Sequence, residues 1–256
     1  MTLMATLQVA EARITKISIT HIESPTFGGR AFGSVGPYEK LVGTVEGEVD
    51  PADPHNSVIT DLARAPHNAN GKVGYATDIM IFRPIDRSKG NHKVWYELTN
   101  RGNVLAFPQF NDAASGGNDP SRAADAGNGF LMRQGYSILF SGWDISARAG
   151  GNRFTMKAPI AVNADGSPIV GPAMEEFVID DNQTMIGPLT YPAATVDKSA
   201  ASLTMRERYH DEPYLVPAYE WDFANAAGTS AAGESRRGIC RADNHLVART
   251  RTFDAL

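Results

Sequence analysis

Residues 94–144 constrain the fold most strongly, because they read as two strands joined by a long connection. The strand Val94–Leu98 runs directly into the polar turn Asn100-Arg101-Gly102, and the second strand begins at Ser137. A connection of this length excludes a tight hairpin and leaves room for a crossover helix, which favours parallel pairing. Since ligands bind at the carboxyl ends of such strands, the segment predicts an α/β fold with a site near residue 100.

Composition and charge exclude several function classes. Hydrophobic residues make up 42% and charged residues 21%, as in ordinary globular proteins. The net charge of −5 argues against nucleic-acid partners, because neutralised phosphates supply most of that affinity. No apolar run approaches the ~20 residues that span a bilayer, so no membrane partner is expected. The single Cys240 and the lack of a basic region in residues 1–7 predict a cytoplasmic protein.

The rest of the chain reads mainly as strands. Residues 41–50 and 73–83 alternate in the period-2 pattern of strands, and Pro84 ends the second run. From residue 150 the chain consists of short β-like runs separated by prolines, and residues 219–223 alternate aromatic and acidic side chains. The sequence therefore predicts three parts: an α/β core over 1–149, a β-rich accessory region over 150–223 and a loosely ordered, Arg-rich tail over 224–256.

The crossover contains a short helix and a polar loop. Asn128 can cap a helix that Gly135 ends in a left-handed conformation. The preceding loop, 111–127, could suggest calcium, but its spacing does not match an EF-hand, and a solvated loop is favoured. The sequence also lacks a P-loop, a dinucleotide fingerprint, H-E-x-x-H and C-x-x-C, so we expect neither metal nor cofactor. The polar residues of the loop are Asp112, Asn118, Asp119 and Asp125.

No catalytic nucleophile is identified. The pattern G-x-S-x-G is approached only around Ser230, where Ala232 replaces the second glycine and no apolar strand precedes the segment. His210 and Asp211 are adjacent, and neighbours on a strand point to opposite faces, so a solvated loop is favoured over a catalytic pair.

The turn Asn100-Arg101-Gly102 has two interpretations. In α/β-hydrolases, the loop after the third strand donates a backbone N–H to the oxyanion hole, which makes these three residues candidates for that role. The alternative is a plain glycine-containing turn, and the residues alone favour it.

Several stretches resemble a large bacterial family, the alpha/beta hydrolase domain-containing proteins. The resemblance covers roughly residues 14–223 in order and is most specific in its N-terminal third. The stretches are residues 27–39, Asp78-Ile79, Arg83-Pro84, Asn100-Arg101-Gly102-Asn103, Gly129-Phe130-Leu131, Gly135-Tyr136 and Ser141-Gly142-Trp143.

The resemblance implies an incomplete α/β-hydrolase-type sheet with a β-rich accessory region, forming the N-terminal portion of a serine-esterase-like enzyme. Its substrate would be a small ester-like acyl compound. The family's nucleophile, acid and histidine lie beyond the end of this sequence, and the tail after Phe223 departs from the family pattern, as a shifted frame or early stop would produce. We therefore expect a chain that is inactive alone. The alternative is a non-catalytic, β-rich module that binds a ligand or partner. One further alternative is a partial domain that another chain completes.

Overall fold

The structure is a computed structural model that describes residues 13–114, 117–147, 150–179, 186–225, 236–241 and 250–255. The chain divides into two compact units, 1–168 and 169–256. The part boundaries predicted at residues 150 and 224 stay predictions. No helix of the described ranges is long and apolar enough to cross a bilayer.

The first unit is built on one mixed sheet. Its strands follow the spatial order β1-β2-β3-β5-β4, and β6 pairs with the beginning of β3. Every neighbouring pair is antiparallel except β4 and β5, which are parallel. The strands are β1 (Arg13–Glu23), β2 (Tyr38–Val49), β3 (Val73–Pro84), β4 (Val94–Leu98), β5 (Ser137–Ser141) and β6 (Met156–Lys157).

The crossover between β4 and β5 carries two short helices, α1 (Ala106–Asn111) and α2 (Phe130–Arg133). The Asn128 side chain accepts a hydrogen bond from the Phe130 N–H at 2.8 Å, and Gly135 has a φ of 77°. The predicted parallel pair is therefore confirmed, and the one predicted helix corresponds to α2. The sequence analysis did not predict α1, because Pro108 interrupts its short apolar pattern. Proline is tolerated there because it lies in the first turn of the helix, where backbone N–H groups have no helical partner.

The predicted α/β fold, an incomplete α/β-hydrolase-type sheet with a β-rich accessory region, is wrong. The protein is β-rich, and its sheet is mostly antiparallel, because β1, β2 and β3 form a meander and β5 then joins β3 in the antiparallel direction. The helices span only six and four residues, too short to form the layers that cover a parallel sheet. A single parallel unit does not establish an α/β architecture.

One face of this sheet packs against an aromatic core. The Phe82 ring stacks on Phe27 at 5.1 Å and meets Phe107 and Phe140 edge-on at 5.2 and 6.2 Å. The glycine-rich stretch 28–36 connects Phe27 to Tyr38 and also places Phe32 in this core. Since aromatic residues bury the largest areas, this cluster is the main stabilising element of the first unit.

The opposite face exposes apolar side chains at both edges of the sheet. One row of paired residues runs from Ile19 through Gly43, Ile79 and Ser141 to Leu98. Two register shifts in β1 bring all of its isoleucines to this face, since one extra residue reverses the alternation. Those isoleucines, Ile14, Ile17, Ile19 and Ile22, are all exposed.

The second unit contains two antiparallel sheets, ordered β10-β9-β13-β7 and β11-β12-β8. In β11, Trp221 and Phe223 are buried, as predicted for one face of residues 219–223. Tyr219 departs from that prediction, because it is 77% exposed and lies in a 3-10 helix over Ala218–Glu220. Within the range predicted as a loose tail, the described backbone includes β12 and β13. The strands are β7 (Met174–Val178), β8 (Ile186–Pro188), β9 (Ala201–Arg206), β10 (Tyr214–Leu215), β11 (Trp221–Asn225), β12 (Arg236–Arg241) and β13 (Thr250–Ala255).

Candidate functional site

The predicted site lies at the carboxyl end of β4, where Thr99 fixes the start of the loop. Thr99 is fully buried, and its backbone N–H and hydroxyl both donate to the Ser141 carbonyl, at 3.3 and 3.0 Å. Its own carbonyl accepts a hydrogen bond from the Trp143 indole at 2.7 Å. The loop is thus anchored to the end of β5.

Asn100, Arg101, Gly102 and Asn103 form a tight turn. Asn100 and Asn103 exchange backbone hydrogen bonds of 3.0 and 2.9 Å, while Arg101 and Gly102 have φ values of 48° and 84°. Two consecutive positive φ angles are the mark of a type I′ turn. The Gly102 carbonyl also accepts from the Phe154 N–H at 3.0 Å, so the turn is tied to the segment before β6.

The backbone N–H groups of Arg101 and Gly102 are the donors left at this turn. No hydrogen bond among the described residues uses either group, whereas the Asn100 N–H is occupied by Asn103. Of the three candidate residues, Arg101 and Gly102 therefore each offer a backbone N–H donor, whereas the Asn100 N–H is already paired. An oxyanion hole also requires an attacking atom beside the reacting carbonyl.

The nearby hydroxyls are engaged in structural hydrogen bonds. Ser141 Oγ lies 2.7 Å from the Tyr96 hydroxyl. Thr155 Oγ1 donates to Asp78 Oδ2 at 3.0 Å, and Asp78 Oδ2 also accepts from the Thr155 N–H at 2.9 Å. Neither hydroxyl has a histidine among its partners in the described ranges, and histidine is the partner that commonly activates such a nucleophile.

Glu97 is a functional candidate that the sequence analysis did not single out. Its carboxylate accepts from the backbone N–H groups of Leu105 and Ala106 at 2.8 and 2.6 Å, at the start of α1. Burial raises the pKa of the Glu97 carboxyl, while the two N–H bonds oppose that rise by stabilising the charged form. The available sequence signal was a single acidic residue within the otherwise apolar strand Val94–Leu98, but its partners depend on where α1 begins. Its contacts fit a helix anchor.

Two histidines of the described ranges make local contacts with an acidic or an aromatic neighbour. His55 Nδ1 lies 2.8 Å from Asp53, on an exposed turn after β2, and no described serine hydroxyl bonds to it. His210 packs edge-on against Tyr209, and Asp211 accepts from the Arg208 N–H at 2.9 Å, which fits an exposed loop. Ser230 lies outside the described residues.

The polar loop considered for calcium forms structural contacts instead. Asn118 accepts from the Val104 N–H at 2.9 Å, and Asp125 accepts from the backbone N–H groups of Ser121 and Arg122. Within the described ranges, no cluster of three or more His, Cys, Asp or Glu side chains could hold a metal ion.

Asp119 in this loop binds a buried lysine. Lys40 Nζ lies 2.9 Å from Asp119 and 2.8 Å from Glu23, and its side chain is almost inaccessible. Burial works against the ammonium, but the hydrogen bonds to both carboxylates outweigh it and raise the pKa of Lys40. The loop is therefore held to β1 and β2 by charge.

The outer edge of β4 is the other candidate surface. The Ser137 N–H donates to the Lys93 carbonyl at 3.0 Å, and the Thr99 N–H donates to the Ser141 carbonyl. Because hydrogen bonding alternates along a parallel ladder, the odd-numbered residues of β4 face β5. The residues between them direct their N–H and C=O groups to the free edge, and no hydrogen bond in the described ranges uses those groups. These residues are Val94, Tyr96 and Leu98, and they are 61%, 54% and 58% exposed.

Comparison with known proteins adds no relative from which a function could be inferred. No family model, no curated protein and no solved structure matches the chain. The resemblance to bacterial hydrolases stays a prediction.

Proposed function

We propose that this protein is a non-catalytic partner-binding module in which β4 accepts an additional strand from another polypeptide. The supporting observation is that the outer edge of β4 pairs with no strand of the described residues. An unpaired edge presents backbone donors and acceptors to any extended chain of matching length. With one cysteine in the sequence, the cytoplasm is the compartment we propose.

The chemistry of β4 defines the partner. Backbone groups at Val94, Tyr96 and Leu98 supply the hydrogen bonds, and their side chains form an exposed apolar strip on one face. An added strand would place alternate residues over this strip, since successive side chains point to opposite faces. The partner is therefore an extended segment whose alternate residues are apolar.

The test uses Tyr96→Pro, which removes an outward N–H from β4 and blocks the edge, a position where proline is tolerated. Peptides would be selected from a random library on the purified chain and their affinities measured. We expect selected peptides to lose binding to Tyr96→Pro and to keep most of it with Tyr96→Ala, which retains the N–H. Bound peptide should also slow amide exchange at Tyr96 and Leu98.

Peptides that bind Tyr96→Pro as tightly as the unchanged chain would contradict this proposal. Circular dichroism of both variants provides the folding control, because a misfolded variant would lose binding for a trivial reason. If Tyr96→Pro misfolds, protection of the Tyr96 and Leu98 amides in the unchanged chain decides the question.

A second candidate is a contribution to a serine-esterase-like hydrolase whose nucleophile another chain supplies. The backbone N–H groups of Arg101 and Gly102 favour this function, because they lie at the carboxyl end of β4. We expect a fluorophosphonate probe to leave the 256-residue chain unlabelled. Labelling of the purified chain would contradict the absence of a nucleophile, and a chain boiled before labelling controls for nonspecific reaction.

A further inference from the structure

A cavity of about 240 Å³ lies at the start of β4 and β5, away from the turn at Asn100. It is smaller than the pockets of roughly 300–1,000 Å³ that hold drug-sized ligands, and it has room for a small ion or a charged group of a ligand. Its lining includes two arginines, a histidine and a serine, and it includes no acidic residue. The lining residues are Arg83, Pro84, Arg87, Gly90, His92 and Ser137.

Arg83 is held in position from the side of β2. Its Nε donates to Glu39 Oε1 at 2.7 Å, and the arginine side chain is only 28% exposed. This bond uses one of the five guanidinium protons, so the four on the Nη atoms remain for other acceptors. The pairing with Glu39 reduces the net charge of Arg83 and fixes the orientation of its planar group.

The facing wall is a turn that is bound to the segment before β5. The Asn91 N–H donates to the Gly135 carbonyl at 2.9 Å, and the Asn91 amide donates to the Gln134 carbonyl at 2.7 Å. His92 follows with a φ of 58°, a left-handed conformation uncommon outside glycine. The cavity wall is therefore fixed by the fold.

Asp86, the acidic side chain of this turn, has its partners on the turn itself and not among the lining residues. Asp86 accepts from the N–H and the hydroxyl of Ser88 at 3.1 and 2.6 Å, and it lies 3.8 Å from Lys89 Nζ. Those hydrogen bonds lower the pKa of Asp86, which keeps it ionised. Arg83 is balanced by Glu39, and no ion pair of the described residues involves Arg87, so Arg87 supplies the positive charge of the lining.

We propose that this cavity binds a small oxyanion, the phosphate or carboxylate group of a ligand. Arginine recognises such groups through paired N–H donors, and a serine hydroxyl and an imidazole add further donors. This inference is independent of partner binding at β4.

The test is a titration with inorganic phosphate and with acetate at constant ionic strength, followed by the resonances of His92 and Ser137. We expect saturable shifts and at least roughly tenfold weaker binding in Arg87→Ala, since hydrogen bonds to charged groups are the strong ones. Binding of phosphate alone or of both ions distinguishes the two ligand groups. Lys89→Ala is the matched control, because it removes the same charge from the same turn outside the cavity lining.

Two results would overturn the proposal. One is the absence of saturable shifts with both ions. The other is equal weakening in Arg87→Ala and Lys89→Ala, which would reduce the effect to general surface charge.

Discussion

Replacing Phe82 with alanine is expected to destabilise the first unit more than any other single change proposed for this protein. Phe82 is fully buried and contacts Phe27, Phe107 and Phe140 at once. Truncating such a ring loses its burial and leaves a cavity among rigid neighbours, at a cost of about 3–5 kcal/mol. Urea unfolding of the purified variant, followed by circular dichroism, measures the loss.

Phe130→Ala is the matched control for Phe82→Ala. Phe130 is 43% exposed at the start of α2, so the same truncation removes little buried surface. We expect a change of roughly 0.5 kcal/mol in the free energy of unfolding, as for ordinary surface substitutions. Similar losses in the two variants would show that the aromatic cluster does not stabilise the first unit as its geometry indicates.

Gly102→Ala is expected to have the second largest effect. The left-handed backbone conformation at this position would destabilise an alanine by about 1–2 kcal/mol. Its Cβ would also lie 2.7 Å from the Phe154 carbonyl oxygen and 2.9 Å from Arg153 Cβ, which forces the turn away from the segment before β6. Overpacking of this kind adds about 1–3 kcal/mol to the loss of stability. Thermal and urea unfolding of the variant measure the sum.

Gly71→Ala separates the two contributions. Gly71 has a φ of 72° and no atom within 4 Å of an added Cβ, so only the backbone conformation destabilises the variant. Its destabilisation should therefore be the smaller of the two. Equal losses would mean that the contact between Gly102 and Phe154 contributes nothing, and that the turn is free to move.

The turn at Asn100 illustrates what local sequence can predict. A strand followed by a glycine-containing polar turn correctly places a tight turn at the end of β4, because φ angles above zero favour glycine. The packing of Gly102 against Phe154 could not be predicted, since it joins segments 52 residues apart. The same holds for Glu97, whose two N–H donors come from a helix that the local pattern concealed.

The order of strands was the larger failure. The pattern located β2, β3, β4 and β5 and the parallel direction of the last two, because alternation and connection length are local properties. It did not reveal that β1, β2 and β3 form an antiparallel meander, or that β5 lies between β3 and β4 and pairs with β3 in the antiparallel direction. Strand order depends on which apolar faces pack together in three dimensions.

The sequence by itself therefore determined where most strands of the first unit lie, the acidic charge and the lack of recognisable catalytic or cofactor motifs. These properties follow from alternation, turn chemistry and composition, which act over a few residues. Only the tertiary structure decided that β4 is an edge strand and that Arg83, Arg87, His92 and Ser137 surround one cavity. An unpaired edge and a cavity are both defined by long-range neighbours, so neither is encoded in any short stretch of the chain.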